Sequence, residues 1–373
     1  MFLPLLVSSL LAPRRPLTAP SRCIALRYRD GGCGRCQEVC PGHCIELEDG
    51  LRIGEGCDGC QLCAAACPTE ALVSNPSWAK NLLRGARRKP FILTCGKTEA
   101  AATATMVSCL AGISCNLLIT LALVTPDSSL VLYCNRQDEC ERLAGLLEKN
   151  VAAVNSFLQD LSLEKTYFLV RHEKSLLKPQ PEAGYSRREV LFSWQEKGLA
   201  LVQDALVNLE MKLVPGLEGK KKRDGDGFPP LEHLLLRGLL EGLSLTVREL
   251  RVGPATPWGN WRIDGNCSGC EKCVALCPAG ALTSSRVQDG LQIQFRAGDC
   301  LNCQLCRRSC PRQAISREEK VLLEDITSRR VRTLRQHPLA CCESCGEEFI
   351  PGGNQGKCSS CLKREEVKKA AFA

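Results

Sequence analysis

Cys267-Ser-Gly-Cys270-Glu-Lys-Cys273-Val-Ala-Leu-Cys277-Pro278 and Cys300-Leu-Asn-Cys303-Gln-Leu-Cys306-Arg-Arg-Ser-Cys310-Pro311 share one spacing, C-x2-C-x2-C-x3-C-P. Two-residue gaps let a tight loop aim three sulfurs at three corners of one metal cluster, while the fourth cysteine, opening a helix, reaches a second cluster. Each motif therefore needs its partner. Proline after the last cysteine fixes φ and gives up an N–H that would be unpaired in the first helical turn. With both motifs complete, the pattern weighs against a zinc knot or a disulfide framework. Asp289-Gly290 between the motifs fits a hairpin turn.

The same block stands upstream. Cys57-Asp-Gly-Cys60-Gln-Leu-Cys63-Ala-Ala-Ala-Cys67-Pro68 is complete, and a degenerate copy runs from Cys33 through Cys36 and Cys40 to Pro41, with Asp30 in place of the leading cysteine. The copies come in two pairs, which makes two modules of one kind over residues 21–80 and 258–320. These motifs resemble those of bacterial two-cluster ferredoxins. The resemblance implies ferredoxin-like 2[4Fe–4S] modules and therefore four [4Fe–4S] clusters. It also implies ligand sets: Cys267, Cys270, Cys273 and Cys310; Cys300, Cys303, Cys306 and Cys277; Cys57, Cys60, Cys63 and Cys40. The last cluster has Cys33, Cys36 and Cys67 and needs a fourth ligand. Cys23 is favoured, because its thiolate matches the other ligands and the nine-residue loop to Cys33 closes at modest entropic cost. Asp30 through oxygen, Cys44, or a three-iron cluster are the alternatives, with Cys44 expected to point into packing.

Near the end of the chain, Cys342-Glu-Ser-Cys345 and Cys358-Ser-Ser-Cys361 form two knuckles and resemble a zinc ribbon over residues 338–364. Four sulfurs suit tetrahedral Zn²⁺, and a closed four-thiolate site is structural. It would also explain how so short a segment with almost no core folds. A rubredoxin-like iron site has similar spacing and would be redox-active. Cys341 reads as a spectator.

Between the modules the composition changes. Residues 91–95, 105–109, 130–134 and 166–170 are short apolar runs that read as buried strands, and helical stretches near 113–123 and 138–161 separate the later ones. Strands alternating with helices predict a small parallel α/β domain over residues 88–175. A helical linker region over 176–257 follows, with helices at 186–213 and 230–243 and a basic loop at 220–227 that reads as solvated. Cys95, Cys109 and Cys134 end predicted strands, at the carboxyl edge where open α/β sheets build sites, and Cys140 follows by one loop. They form a candidate further site, whereas Cys115, on a helix, reads as core. These cysteines and their neighbours faintly resemble the [2Fe–2S] delta subunit of methyl-viologen-reducing hydrogenases, which serves heterodisulfide reductase, and that resemblance implies a [2Fe–2S] cluster.

The fold class expected is therefore α+β and α/β multidomain: two ferredoxin-like modules flanking a parallel α/β domain with a helical extension, and a zinc-ribbon tail. The 27 cysteines among 373 residues, spaced for metal, imply a reducing compartment, and cytoplasm is the expected location. In the segment at 1–20 the apolar run covers only residues 1–13, shorter than the ~20 apolar residues of a span, and its arginines follow that run, so neither a membrane anchor nor an export signal fits. It reads as a short helix on the first module. The net charge of +8 treats cysteine as neutral. A cubane on four thiolates carries roughly −2, so four clusters cancel most of the excess and no nucleic-acid partner follows.

No G-x-G-x-x-G or Walker A is present, and His43, His172, His233 and His337 lack metal or triad spacing. The expectation is an electron-transfer protein, or such a subunit of an anaerobic oxidoreductase, with a redox protein partner and no catalytic residue of its own. The rivals are a reductase with its site in the middle domain, and a protein whose clusters sense oxygen.

Overall fold

The computed structural model describes residues 15–86, 89–95, 104–134, 141–171, 229–243, 245–253, 256–288, 290–351 and 356–371. The expected N-terminal helix, the helix at 186–213, the basic loop, Cys140, His172 and Asp289 lie outside the described residues. None of the helices described is long and apolar enough to cross a membrane.

In the first region, β1 (Leu17–Thr18) pairs antiparallel with β4 (Leu72–Val73), and β2 (Ile45–Glu46) with β3 (Arg52–Ile53). Pairs this short cannot stand alone. They close over a small core of Ile45, Leu51, Ala64, Ala71 and Leu72 with the thiols of Cys23, Cys36 and Cys63. The pairing of β1 also corrects the expected boundary: residues 17–18, read as part of the N-terminal segment, belong to the strands that frame the cysteines.

The middle of the chain forms a four-stranded parallel sheet of order β6-β5-β7-β8, with β5 at Ile92–Cys95, β6 at Thr105–Val107, β7 at Ser129–Cys134 and β8 at Thr166–Arg171. Every residue of β5 is buried, as a central parallel strand covered on both faces requires. Helices α1 (Pro76–Gly85), α2 (Cys115–Val124) and α3 (Glu141–Asp160) pack around this sheet. Apolar on all sides, α2 is buried along almost its whole length, and its N-cap Ser114 accepts the Leu117 N–H at 3.1 Å. Leu147, Val151, Val154 and Leu158 recur every three or four residues on α3 and make its single buried stripe.

Of the segment expected to be a helical linker, the residues described from 229 onward pack into the fold. Its α4 (Leu231–Gly242) packs on α2, and its β9 (Glu249–Arg251) pairs with β14 (Lys320–Leu322). Two buried polar side chains of α4, His233 and Arg237, face the loop before Cys300: both bond the Gly298 carbonyl, and Arg237 lies 2.5 Å from Asp299.

Downstream, β10 (Trp261–Ile263) pairs antiparallel with β13 (Ile315–Arg317), and β11 (Leu282–Val287) with β12 (Gly290–Phe295), the same scheme as in the first region. A further strand, β15 (Arg332–His337), joins β12. Trp258, Trp261, Phe295 and Ile315 share one continuous apolar core with the parallel sheet. The chain ends in a short hairpin, β16 (Ala340–Cys341) with β17 (Glu348–Phe349), and helix α5 (Ser359–Ala371). Its core is three cysteines and Phe349.

Candidate metal centres

Each complete motif bends the chain twice into the left-handed region. Gly59, Gly269 and Asn302 precede the second cysteine with φ of 75°, 65° and 50°, and Gln61, Glu271 and Gln304 follow it at 66°, 55° and 62°. Such backbone is unfavourable for glutamine or glutamate, so its recurrence at equivalent positions marks one loop shape used three times. A third left-handed residue lies three positions after the last cysteine of all four copies: His43, Glu70, Gly280 and Gln313. In three of them the next residue donates its N–H back to that cysteine: Cys44 to Cys40 at 3.3 Å, Ala71 to Cys67 at 3.2 Å and Ala314 to Cys310 at 3.4 Å. The degenerate copy keeps the bend before its Cys33, at Gly32 with φ of 54°, and loses the one after it, because Gly34 has an ordinary φ of −122°.

These loops bring the sulfurs together in four hollows. One of about 340 Å³ is lined by Cys277, Cys300, Cys303 and Cys306, and another of about 340 Å³ by Cys267, Cys270, Cys273 and Cys310. A third of about 320 Å³ is lined by Cys33, Cys36, Cys67 and Cys23. The fourth, wider at about 700 Å³, is lined by Cys40, Cys57, Cys60 and Cys63. Cys44 is buried as expected and borders this hollow, with its thiol bonded to the Gly42 carbonyl at 3.2 Å. Asp30 is exposed and is absent from the wall of the Cys23 hollow.

The donor chemistry fits a cationic core. Burial pushes the thiols of Cys36, Cys60, Cys63, Cys273 and Cys303 up to about 12, and that of Cys300 up to about 11. At Cys36, Cys63 and Cys273 the neighbouring cysteines push the same way. Such sulfurs become thiolates when a metal replaces their protons, and cluster uptake is therefore coupled to proton release.

At the carboxyl edge of the parallel sheet, Cys95 and Cys134 are register partners on β5 and β7, and their sulfurs lie 3.6 Å apart. Cys95 and Cys109 are buried, and Cys134 is half-buried. This edge abuts the Cys57–Cys63 loop. A Cβ on Gly112 would fall 2.1 Å from the Cys60 carbonyl oxygen, and Ser108 Oγ lies 3.4 Å from the Gly59 carbonyl. Cys115, at the start of α2, packs against the core as expected.

In the tail, the sulfurs of Cys342, Cys345, Cys358 and Cys361 all lie within 4.8 Å of one another, and those of Cys345 and Cys358 are 3.8 Å apart. Tetrahedral ligation with metal–sulfur bonds of about 2.3 Å separates sulfurs by about 3.8 Å, so this group fits a single metal ion. The Cys358 N–H, 3.2 Å from Cys342 Sγ, holds the Cys342 thiol down at about 6. Exposed Cys341 is outside the group.

Two contacts had no signal in the motif spacing. Arg27, four residues after Cys23, donates to the carbonyls of Ala275 (3.0 Å) and Leu276 (3.2 Å), which tie the first region to the turn between Cys273 and Cys277. Trp261 donates its indole N–H to Cys300 Sγ at 3.3 Å.

Comparison with curated proteins finds no match to the chain. Residues 266–314, which hold both complete downstream motifs, match the 4Fe-4S dicluster domain family. The chain thus carries a ferredoxin-like 4Fe-4S domain within a mixed α/β fold, which supports at least one 4Fe-4S cluster and an iron–sulfur electron-transfer role.

Proposed function

We propose that this chain is an electron carrier, or the electron-transfer subunit of a larger oxidoreductase, that passes single electrons through four [4Fe–4S] clusters. The observation that carries the reading is the set of four hollows, each lined by the four cysteines that two-cluster ferredoxin motifs would supply, with Cys23 completing the one whose motif is degenerate. The first region is on this reading a second module of the same kind, supported by its shared strand pairing and by the repeated left-handed residues. When bound, the clusters supply one-electron redox chemistry. The chain's own residues fix the sulfurs, direct backbone N–H groups at them and bury them from water.

The tail binds one structural Zn²⁺ on Cys342, Cys345, Cys358 and Cys361 in this reading. Cys95, Cys109 and Cys134, placed beside Cys60, hold a fifth metal centre, a [2Fe–2S] cluster, at one end of the path. Arg27 brings the other hollow of the first region against the downstream module. The chain works in the reducing cytoplasm with a redox protein partner and without nucleic acid.

The test is anaerobic purification with iron, sulfide and zinc counted per chain, and low-temperature EPR of the reduced sample. About 16 irons and one zinc with coupled cubane signals support the proposal, and about two further irons support the fifth centre. Zinc in every site and no iron on reconstitution would overturn it. The close approach of Cys95 and Cys134 favours one second reading, a reductase whose active site they form. Turnover by the isolated chain with a dye donor, and no fixed partner on purification, would select that reading.

A further inference from the structure

Trp261 opens β10 and is 2% exposed. Its indole lines the Cys277, Cys300, Cys303 and Cys306 hollow and bonds Cys300 Sγ at 3.3 Å. Two backbone N–H groups, of Gly259 and Asn302, also act on Cys300. Gly259 is required for this convergence, because a Cβ there would fall 2.9 Å from Trp261 Nε1 and 3.3 Å from Cys300 Sγ. Asn302 clamps the approaching segment through Nδ2, which donates to the carbonyls of Gly253 (2.8 Å) and Thr256 (3.0 Å). The neighbouring hollow offers an internal control. Cys267 holds the position in its motif that Cys300 holds in the other, and the Gly269 N–H approaches it at 3.5 Å. Its loop is also wetter, since Cys267 is half-buried whereas Cys300 is 7% exposed, and Cys270 is exposed whereas Cys303 is half-buried.

Burial and hydrogen bonding act in opposite directions on a reduction potential. A buried site disfavours the extra negative charge of the reduced state, and N–H donors to sulfur favour it. We propose that Trp261 sets the reduction potential of the centre held by Cys277, Cys300, Cys303 and Cys306, its indole N–H offsetting the burial that would otherwise make that centre hard to reduce. One electron enters and no proton moves: the hydrogen stays on the indole, and its bond to Cys300 strengthens as negative charge on the sulfur grows. Trp261 is thus a positioning residue that keeps this centre within exchange range of its neighbour. The inference rests on the reading of the four hollows as cluster sites.

The experiment is an EPR-monitored redox titration of the full chain, loaded anaerobically, for wild type, Trp261→Phe and Trp258→Phe. Trp258 is an equally buried control whose indole bonds the Gly298 carbonyl at 3.3 Å instead of a sulfur. In Trp261→Phe, with iron content unchanged, one centre should become about tenfold harder to reduce, a shift of about 59 mV for one electron. The other centres, and every centre of Trp258→Phe, should keep their potentials. Cys303→Ser must alter the same signal that Trp261→Phe shifts. If Trp261→Phe does not fold, benzothienylalanine at position 261, which keeps the ring shape and lacks the N–H, should give the same shift. Full iron with no shift in either variant, an equal shift in Trp258→Phe, or a Cys303→Ser effect on a different signal overturns the proposal. A wild-type chain without iron removes the underlying reading, and this inference with it.

Discussion

Replacing Cys23 with serine separates the three candidates for the fourth ligand of the first hollow. Cys23 is 7% exposed and shares that hollow with Cys33, Cys36 and Cys67. Asp30 is exposed, and Cys44 belongs to the wall of the neighbouring hollow. If Cys23 is the ligand, Cys23→Ser loses one cubane of four, and iron per chain falls by about a quarter; loss of a single corner would remove only about one iron in 16. The larger loss is expected. Among the described residues the surrounding core has five buried apolar side chains besides its cysteines, and its two strand pairs span two residues each. Cores of this size need a metal or another cross-link to hold. Limited proteolysis should therefore cut within residues 17–73 of Cys23→Ser and leave the downstream module intact. Asp30→Asn and Cys44→Ser are the controls and should keep wild-type iron, sulfide and EPR. Full iron in Cys23→Ser, together with loss in either control, would refute the reasoning.

Other expectations follow from single contacts. Cys345→Ser should abolish zinc binding, seen as zero zinc by elemental analysis with iron unchanged, because the remaining three sulfurs no longer close the site. In the metal-free tail, the Cys361 thiol is pushed up to about 12 by its hydrogen-bonded neighbours Cys345 and Cys358, so zinc affinity should rise with pH between 6 and 9 as proton competition weakens; a flat titration argues against this. Gly112→Ala drives a Cβ into the Cys60 carbonyl and should cost about 1–3 kcal/mol in chemical denaturation while altering one cluster signal. His233 is fully buried, and desolvation holds it down at about 4. The unfolded chain takes up that proton near 6.5, so about 3 kcal/mol of stability present above pH 6.5 is lost as pH falls to about 4. His233→Gln should flatten that part of the pH profile, and an unchanged slope would assign the acid loss elsewhere.

The motifs were legible because their information is covalent: two-residue gaps between cysteines dictate a loop that points sulfurs inward, whatever surrounds it. Even the left-handed turns were half readable, at Gly59 and Gly269, but Gln61, Glu271 and Gln304 carry no propensity for that conformation and are held there by the loop. The parallel sheet followed from short, mostly apolar runs such as 92–95, all of whose residues are buried. The role of 229–257 was hidden. The buried face of α4 includes His233 and Arg237, polar residues that a sequence assigns to solvent, and their partners, the Gly298 carbonyl and Asp299, lie more than 60 residues away. The two-residue strand at Leu17–Thr18 left no periodicity to read.

Several contacts between the first region and the rest of the chain fall on or beside its cysteine loops. Leu62, between Cys60 and Cys63, is buried in the main apolar core together with Trp78 of α1, and Val39 and Cys60 pack against it. The Cys60 carbonyl meets Gly112, the Gly59 carbonyl meets Ser108, and Arg27 reaches the turn between Cys273 and Cys277. An interface selected for adhesion alone would bury broad apolar faces away from polar loops and their strained backbone. Here the region instead spends its sequence on close backbone approach at Gly112 and on two hydrogen bonds from one guanidinium, each beside a cysteine. That arrangement sets the Cys60 loop against the sheet edge that carries Cys109, and Arg27 against the turn between Cys273 and Cys277.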